Sequence, residues 1–151
     1  MPVGNDFMAL ALTEAEAAAA RGEVPIGAVV VIDSTVIASA GNRTREMADP
    51  TAHAEILALR EACRKRGSER LPGAHLYVTL EPCAMCAAAI SFARVERLYY
   101  GAADPKGGGV DHGGRFYDQP TCHHRPDVYS GFSESRSAEL LRSFFSEKRS
   151  D

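Results

Sequence analysis

Two short segments, about 30 residues apart, constrain this chain more than anything else in it: Thr51-Ala52-His53-Ala54-Glu55 and Glu81-Pro82-Cys83-Ala84-Met85-Cys86. Together they hold one imidazole, two thiols and two carboxylates. Imidazole and thiolate are zinc-type ligands. If His53, Cys83 and Cys86 grip one ion, the fold must bring the two segments to one point. Three protein ligands leave the fourth tetrahedral position of Zn²⁺ open, which marks a catalytic rather than a structural site.

The rest of the composition sets the frame. The chain has 151 residues, enough for one domain spanning 1–151 with a real core. Its hydrophobic fraction of 45% and charged fraction of 25% are ordinary for a globular protein. No apolar run approaches the roughly 20 residues needed to cross a bilayer, so no membrane partner is expected. The start of the chain lacks the basic-then-apolar layout of a signal peptide. Four cysteines without an export signal point to a reducing cytoplasm, where Cys-x-x-Cys binds metal or does redox chemistry. The formal net charge of −3 gives bulk charge no role in binding nucleic acid, so a polynucleotide would need a local basic patch.

Hydrophobic periodicity predicts a helix from Asp6, with Met8, Ala11, Leu12, Ala15 and Ala19 on one side and Gly22 as its stop. Ile26 to Ile32 reads as a buried strand. Asp33-Ser34 turns it into Val36 to Ala40, a hairpin. Asp49 and Pro50 predict the cap and first residue of a second helix, with Ile56, Leu57, Leu59 and Ala62 facing the core. Leu76 to Leu80 is a third strand. Pro82 opens a helix carrying Cys86, Ala89, Ile90 and Ala93. Arg97 to Tyr100 is a fourth strand. Gly101 to Pro126 reads as mostly loop, Val128 to Ser130 as a fifth strand and Ser135 to Lys148 as a last helix. Strands separated by helices predict an α/β fold, a three-layer α-β-α sandwich on a central mixed five-stranded sheet.

Each motif opens a helix. The positive end of a helix dipole favours thiolate. Cys83 and Cys86, three apart, share a helix face. Glu55 is two residues from His53, so on a regular helix the two side chains diverge, and Glu55 is a non-ligand carboxylate beside the ion. Zinc lowers the pKa of its water toward about 7. Glu55 would carry a proton from that water to a purine or pyrimidine ring, and ammonia would leave. Other readings stand beside this one. Cys83 and Cys86 alone suit a redox pair. A structural site would need a fourth ligand, for which Cys63, Cys122, His75, His112, His123 and His124 are candidates by composition.

His-x-Glu followed by Pro-Cys-x-x-Cys is the signature of zinc nucleobase deaminases. The chain resembles the cytidine-deaminase-like zinc deaminases. More narrowly, it resembles the bacterial tRNA-specific adenosine deaminases, which convert a wobble adenosine to inosine. Matching stretches include Glu23 to Val29, Gly41-Asn42-Arg43, Asp49 to Ile56, Leu76 to Cys83 and Gly101 to Lys106. Phe144-Phe145 with Lys148-Arg149 resembles the family's tRNA-contacting helix. The resemblance implies a cytidine-deaminase-like fold, one Zn²⁺ per chain on His53, Cys83 and Cys86, and Glu55 as proton shuttle. It implies that Asn42 and the backbone of Ala54 contact the base, with Asp104, Lys106, Phe144 and Phe145 near neighbouring nucleotides. It further implies a homodimer with a tRNA anticodon stem-loop across the interface. Guanine and cytosine deaminases of the same superfamily carry similar zinc segments, so a free-base or nucleoside deaminase is the alternative. The chain departs from the family at Cys122-His123-His124-Arg125 and in the segment Gly107 to Gln119, which is rich in Gly and Asp.

Overall fold

A computed structural model describes residues 4–150, with side chains over 6–147. The elements run α1 (Gly4–Ala20), β1 (Gly27–Ile32), β2 (Thr35–Gly41), α2 (Ala54–Arg66), β3 (His75–Leu80), α3 (Ala84–Phe92), β4 (Arg97–Ala102), a short 3₁₀ turn (Phe116–Asp118), β5 (Asp127–Tyr129) and α4 (Glu134–Ser150). The strands form one mixed sheet in the order β2-β1-β3-β4-β5. The sequence order of helices and strands is the expected one.

Alternation along the strands builds two cores. Ala28, Val30 and Ile32 of β1, Leu76 and Val78 of β3, and Leu98 and Tyr100 of β4 face α2 and α3, meeting Ala58, Leu59, Ala62, Ala87 and Ile90. Val29, Val31 and Tyr77 point the other way, onto Phe7, Met8 and Ala11 of α1. All six residues of β1 are buried, because helices cover both faces. This is the three-layer sandwich.

Strand direction then decides where the helices begin. β1 is antiparallel to both β2 and β3. β2 and β3 therefore run the same way. The chain leaves β2 to form α2 and leaves β3 to form α3. Both helices start at the same end of the sheet. This topology is what brings two sequence segments about 30 residues apart to one place.

Several local expectations shift. Asp33 and Ser34 adopt φ of 51° and 61°, as the predicted tight hairpin turn requires. On α1 the buried residue is Ala18 rather than Ala19. α2 begins at Ala54, not at Pro50. Asp49 Oδ1 accepts the Thr51 amide at 2.8 Å and the Thr51 hydroxyl at 2.7 Å. That closes a separate turn, so Asp49 caps no helix. The core face of α2 is Ala54, Glu55, Ala58, Leu59 and Ala62, leaving Ile56 and Leu57 half-buried. The long segment after β4 is mostly loop, yet Val110 and Tyr117 plug into the core beneath α3.

α1 sits so close to β1 that a Cβ at Gly27 would lie 1.9 Å from the Ala11 carbonyl oxygen. Gly114, by contrast, has nothing within 4 Å of a built Cβ. Gly27→Ala is therefore expected to cost about 2 kcal/mol or more, lowering the melting temperature by roughly 4–8 °C. Gly114→Ala should leave the melt unchanged. A thermal unfolding comparison of the two variants checks this.

Candidate active site

The site is built on the ends of α2 and α3. His53 is the N-cap of α2 and Cys83 the N-cap of α3, both extended, and neither side chain bonds to its own helix end. Their side chains are thus free to point at each other. His53 Nδ1 lies 3.7 Å from Cys83 Sγ and 3.5 Å from Cys86 Sγ. All three donor atoms fall within 4.8 Å of one another. Zinc at about 2.3 Å from sulfur and about 2.0–2.1 Å from nitrogen gives a tetrahedral S···N edge of roughly 3.6 Å. The observed separations match that edge, so the donor set and its spacing fit one zinc. Among the described residues no other metal-binding group forms. Cys63, Cys122, His75, His112, His123 and His124 are not brought to the cluster.

The electrostatics agree with the chemistry of these donors. The Cys83 thiol is pushed down to about 4, first by a hydrogen bond from Cys86 and, against burial, by His53. The same Cys83–Cys86 contact pushes Cys86 up. His53 is raised, chiefly by its contact with Cys83.

Glu55 lies in the first turn of α2 and is 4% exposed. Its Oε1 is buried without a hydrogen-bond partner. Burial pushes its carboxyl up to about 7, with nearby Cys83 adding to the effect and His53 opposing it. A carboxyl near 7 can take up and release a proton at neutral pH. Asn42 is buried, and its Oδ1 accepts the Ala54 amide at 2.7 Å. Asn42 therefore occupies the start of α2, and the Ala54 N–H is already engaged.

Two further carboxylates, both outside the expected site, hold the surrounding loops. Glu81 has a fully buried side chain. It accepts the backbone amides of Asp104 (3.0 Å), Val110 (3.2 Å), Asp111 (2.9 Å) and His112 (3.1 Å), and it contacts His112 Nδ1 at 2.7 Å. Burial opposes its charge, but these donors outweigh burial and hold its carboxyl below the usual range. The glycines of this loop serve the same contact. A Cβ at Gly108 would lie 2.4 Å from Glu81 Oε2, and one at Gly109 2.6 Å from the Ala84 nitrogen. On the other side, Glu23, 2% exposed, accepts the amides of Arg45 (3.1 Å) and Glu46 (2.8 Å). Arg21 Nη2 donates to the Asn42 carbonyl at 3.1 Å. The one local signal for these residues is a charged side chain at the end of an apolar run, as in Leu80-Glu81-Pro82.

The residues expected to meet neighbouring nucleotides are dispersed. Asp104 and Phe145 share a cavity of about 410 Å³ with Val24, Ile26, Leu80 and Arg142. Lys106 is exposed on the loop after β4. Phe144 packs edge-on against Phe145, with ring centres 5.4 Å apart. The side chains of Lys148 and Arg149 lie outside the described residues.

Known proteins place this geometry. The MafB19-like deaminase family matches residues 4–149. The tRNA-specific adenosine deaminase of Agrobacterium fabrum (strain C58 / ATCC 33970) is 70% identical over 145 residues, covering 96% of this chain and 95% of that protein. That of Rickettsia bellii (strain RML369-C) is 46% identical over 141 residues, covering 92% and 97%. The chain belongs to the tRNA-specific adenosine deaminases. A solved tRNA:A34 deaminase, studied for A-to-I editing at the wobble position, superposes with a TM-score of 0.89 at 70% identity, over 90% of this chain and 99% of that one. A guanine deaminase from Bacillus subtilis superposes at 0.68 with 31% identity, covering 98% of this chain and 95% of that one. A guanine deaminase from Nitrosomonas europaea, 23% identical, shares the fold at 0.83, over 97% of this chain and 86% of that one.

Glu23 gives a pH-dependent test of the loop anchors. Burial resists its charge, yet the Glu46 and Arg45 amides hold its carboxyl below the usual range. A folded pKa below the unfolded one adds stability above the unfolded value and loses it as pH falls through the folded one. Glu23→Gln should therefore cost about 1–2 kcal/mol at pH 7. The deficit relative to wild type should shrink steadily below about pH 4.5. Denaturant unfolding at several pH values measures it, and a deficit independent of pH would contradict the assignment.

Proposed function

We propose that this protein hydrolytically deaminates adenosine to inosine at the wobble position of a tRNA anticodon loop. The observation that carries the reading is the buried Glu55 carboxyl, with its Oε1 unpartnered, beside a His-Cys-Cys donor set, in a chain 70% identical to a tRNA-specific adenosine deaminase. The catalytic unit is one domain over residues 1–151, working in the cytoplasm. No helix among the described residues is long and apolar enough to cross a membrane.

His53 Nδ1, Cys83 Sγ and Cys86 Sγ are the residues that would hold one zinc ion. When bound, zinc supplies Lewis-acid activation of water near neutral pH. Glu55 takes a proton from the attacking water and delivers it to the ring nitrogen next to the reacting carbon. Water oxygen adds to the carbon bearing the exocyclic amine. Glu55 then takes the proton of the newly added hydroxyl and passes it to that amine, and the carbon–nitrogen bond breaks to give inosine and ammonia. Burial is what permits this shuttle, because it raises the carboxyl into the range where both transfers run at neutral pH. Asn42 Oδ1 is held by Ala54, which leaves the Asn42 amide hydrogens for a ring-nitrogen acceptor of the base. A looped, single-stranded target suits a compact enzyme, since little stacking has to be broken.

Two chains would pair through the face between α2 and α3. There Phe92 is 67% exposed, beside an apolar hollow lined by Ile56, Leu59, Cys63 and Ala89. The stem-loop would lie across the resulting dimer.

Zinc-loaded protein should form inosine in an anticodon stem-loop bearing the wobble adenosine and leave free adenosine, cytosine and guanine untouched. Free-base turnover with an untouched stem-loop would reassign the substrate to the guanine or cytosine class. Glu55→Gln should lower kcat about 10²–10⁴-fold while retaining about one zinc per chain by metal analysis. Cys86→Ala should lose the metal. A Glu55→Gln variant that turns over normally, or that loses zinc, would refute the proton-shuttle role.

A further inference from the structure

We propose that the turn His112–Arg115 is a phosphodiester-binding rim of the active site, with the Arg115 guanidinium and, in its imidazolium form with both ring nitrogens protonated, His112 Nε2 donating to the RNA backbone beside the target adenosine. The proposal rests on the stem-loop reading above and adds residues that the family resemblance does not assign.

Position comes first. The loop carrying this turn lies against the start of α3. Gly109 N donates to the Pro82 carbonyl at 2.8 Å. A Cβ on Gly109 would come within 2.9 Å of the Cys83 carbonyl carbon. The loop is thus a wall beside Cys83.

The charges on this wall are sorted. Its carboxylates each accept protein donors, although Asp111 stays exposed beside His112. Asp104 Oδ1 accepts the Lys106 and Gly107 amides at 3.2 and 2.9 Å. Asp111 Oδ2 accepts the Tyr100 hydroxyl, and Glu81 is fully buried. The cationic and donor groups face outward. Arg115 is exposed, and its guanidinium has no protein partner among the described residues. His112 has its Nδ1 fixed at 2.7 Å from Glu81 Oε1, while the side chain remains 36% exposed. Its Nε2 makes no protein hydrogen bond among the described residues. The Arg115 amide donates to the His112 carbonyl at 3.2 Å, which closes the turn and sets the two side chains on one short rim.

The loop uses only part of these side chains. His112 serves Glu81 through Nδ1 alone, which leaves Nε2 unengaged. Arg115 adopts φ of 43°, a left-handed conformation that glycine takes without steric cost. Arg115 thus takes this conformation beside Gly113 and Gly114 with its guanidinium directed to no protein partner among the described residues. A planar guanidinium and an oriented imidazole are suited to phosphate oxygens.

The test uses full-length, zinc-loaded protein and the anticodon stem-loop. KM and kcat are measured against salt for His112→Ala, Arg115→Gly and the double variant. Each single change should raise KM about 5-fold or more with kcat within two-fold, and the double change should compound the loss. The slope of log affinity against log salt should become shallower by about 0.7 for each lost contact. Arg115→Gly should melt at the wild-type temperature or above it, which a purely structural arginine would not do. If His112→Ala fails to fold, His112→Asn keeps an amide donor near Glu81 and removes Nε2. Wild-type KM and salt slope in both variants would overturn the proposal while stem-loop editing stands. A raised KM with an unchanged slope and lost amide protection over 104–112 would also overturn it, making His112 a structural pin. A wild-type protein that does not edit the stem-loop would remove the substrate reading and this inference together.

Discussion

The structure turns on two helix N-termini aimed at one point. Each carries roughly half a positive charge. Bringing two of them together is unfavourable unless negative charge sits between them. α2 and α3 solve this with their own first residues. The Cys83 thiol, pushed down to about 4, supplies that charge at the start of α3, within 3.7 Å of His53 at the start of α2. The ligand positions are N-cap positions, and neither His53 nor Cys83 caps its own helix. Asn42 takes over that task for α2 through the Ala54 amide. The residues that do chemistry are thereby relieved of holding up the backbone, and a neighbour from the end of β2 does it instead. The sheet order is the precondition. Only because β2 and β3 run the same way do both helices begin at one end.

The same principle recurs one layer out. Glu23 and Glu81 are charged groups buried at the base of two loops, and each is held chiefly by backbone amides, with the His112 imidazole adding a side-chain contact to Glu81. An amide cradle has no side-chain entropy to lose and does not exchange partners as a lysine would. It also explains the glycines at 108 and 109. The carboxylate and the α3 backbone come so close that no Cβ fits. The segment that looks like a flexible, glycine-rich loop by composition is instead wound tightly on an anchor. Gly108 and Gly109 are there for close packing.

This accounts for what could and could not be read from the chain. The convergence of His53, Cys83 and Cys86 was legible because the residue types and their spacing carry the chemistry directly. The hairpin at Asp33-Ser34 was legible because its signal is local. The start of α2 was not. Asp49-Pro50 has the composition of a helix cap, but Asp49 closes on Thr51 instead. The true acceptor for α2, Asn42, lies 12 residues upstream, beyond any local pattern. Glu81 was hidden for the same reason: its donors lie 23 to 31 residues away. Long-range polar contacts leave no periodic trace, whereas apolar faces and turns do.

The division between chemistry and substrate choice follows from where these parts sit. In the proposed reaction the donor set and Glu55 would act on the carbon bearing an amine and on the water that attacks it. Nothing in that geometry distinguishes an adenine in RNA from a free guanine, and guanine deaminases share the fold. Selection must come from groups that touch what surrounds the base. The structure offers such groups on the Glu81-anchored loop, on the Glu23-anchored loop and on α4, where Phe145 and Asp104 line one cavity. Anchoring the two loops by buried carboxylates lets their outer side chains change without disturbing the cluster, since the bonds that hold the loops are made by backbone amides common to every residue but proline. That independence would allow one donor set to serve substrates as different as a free base and a folded RNA.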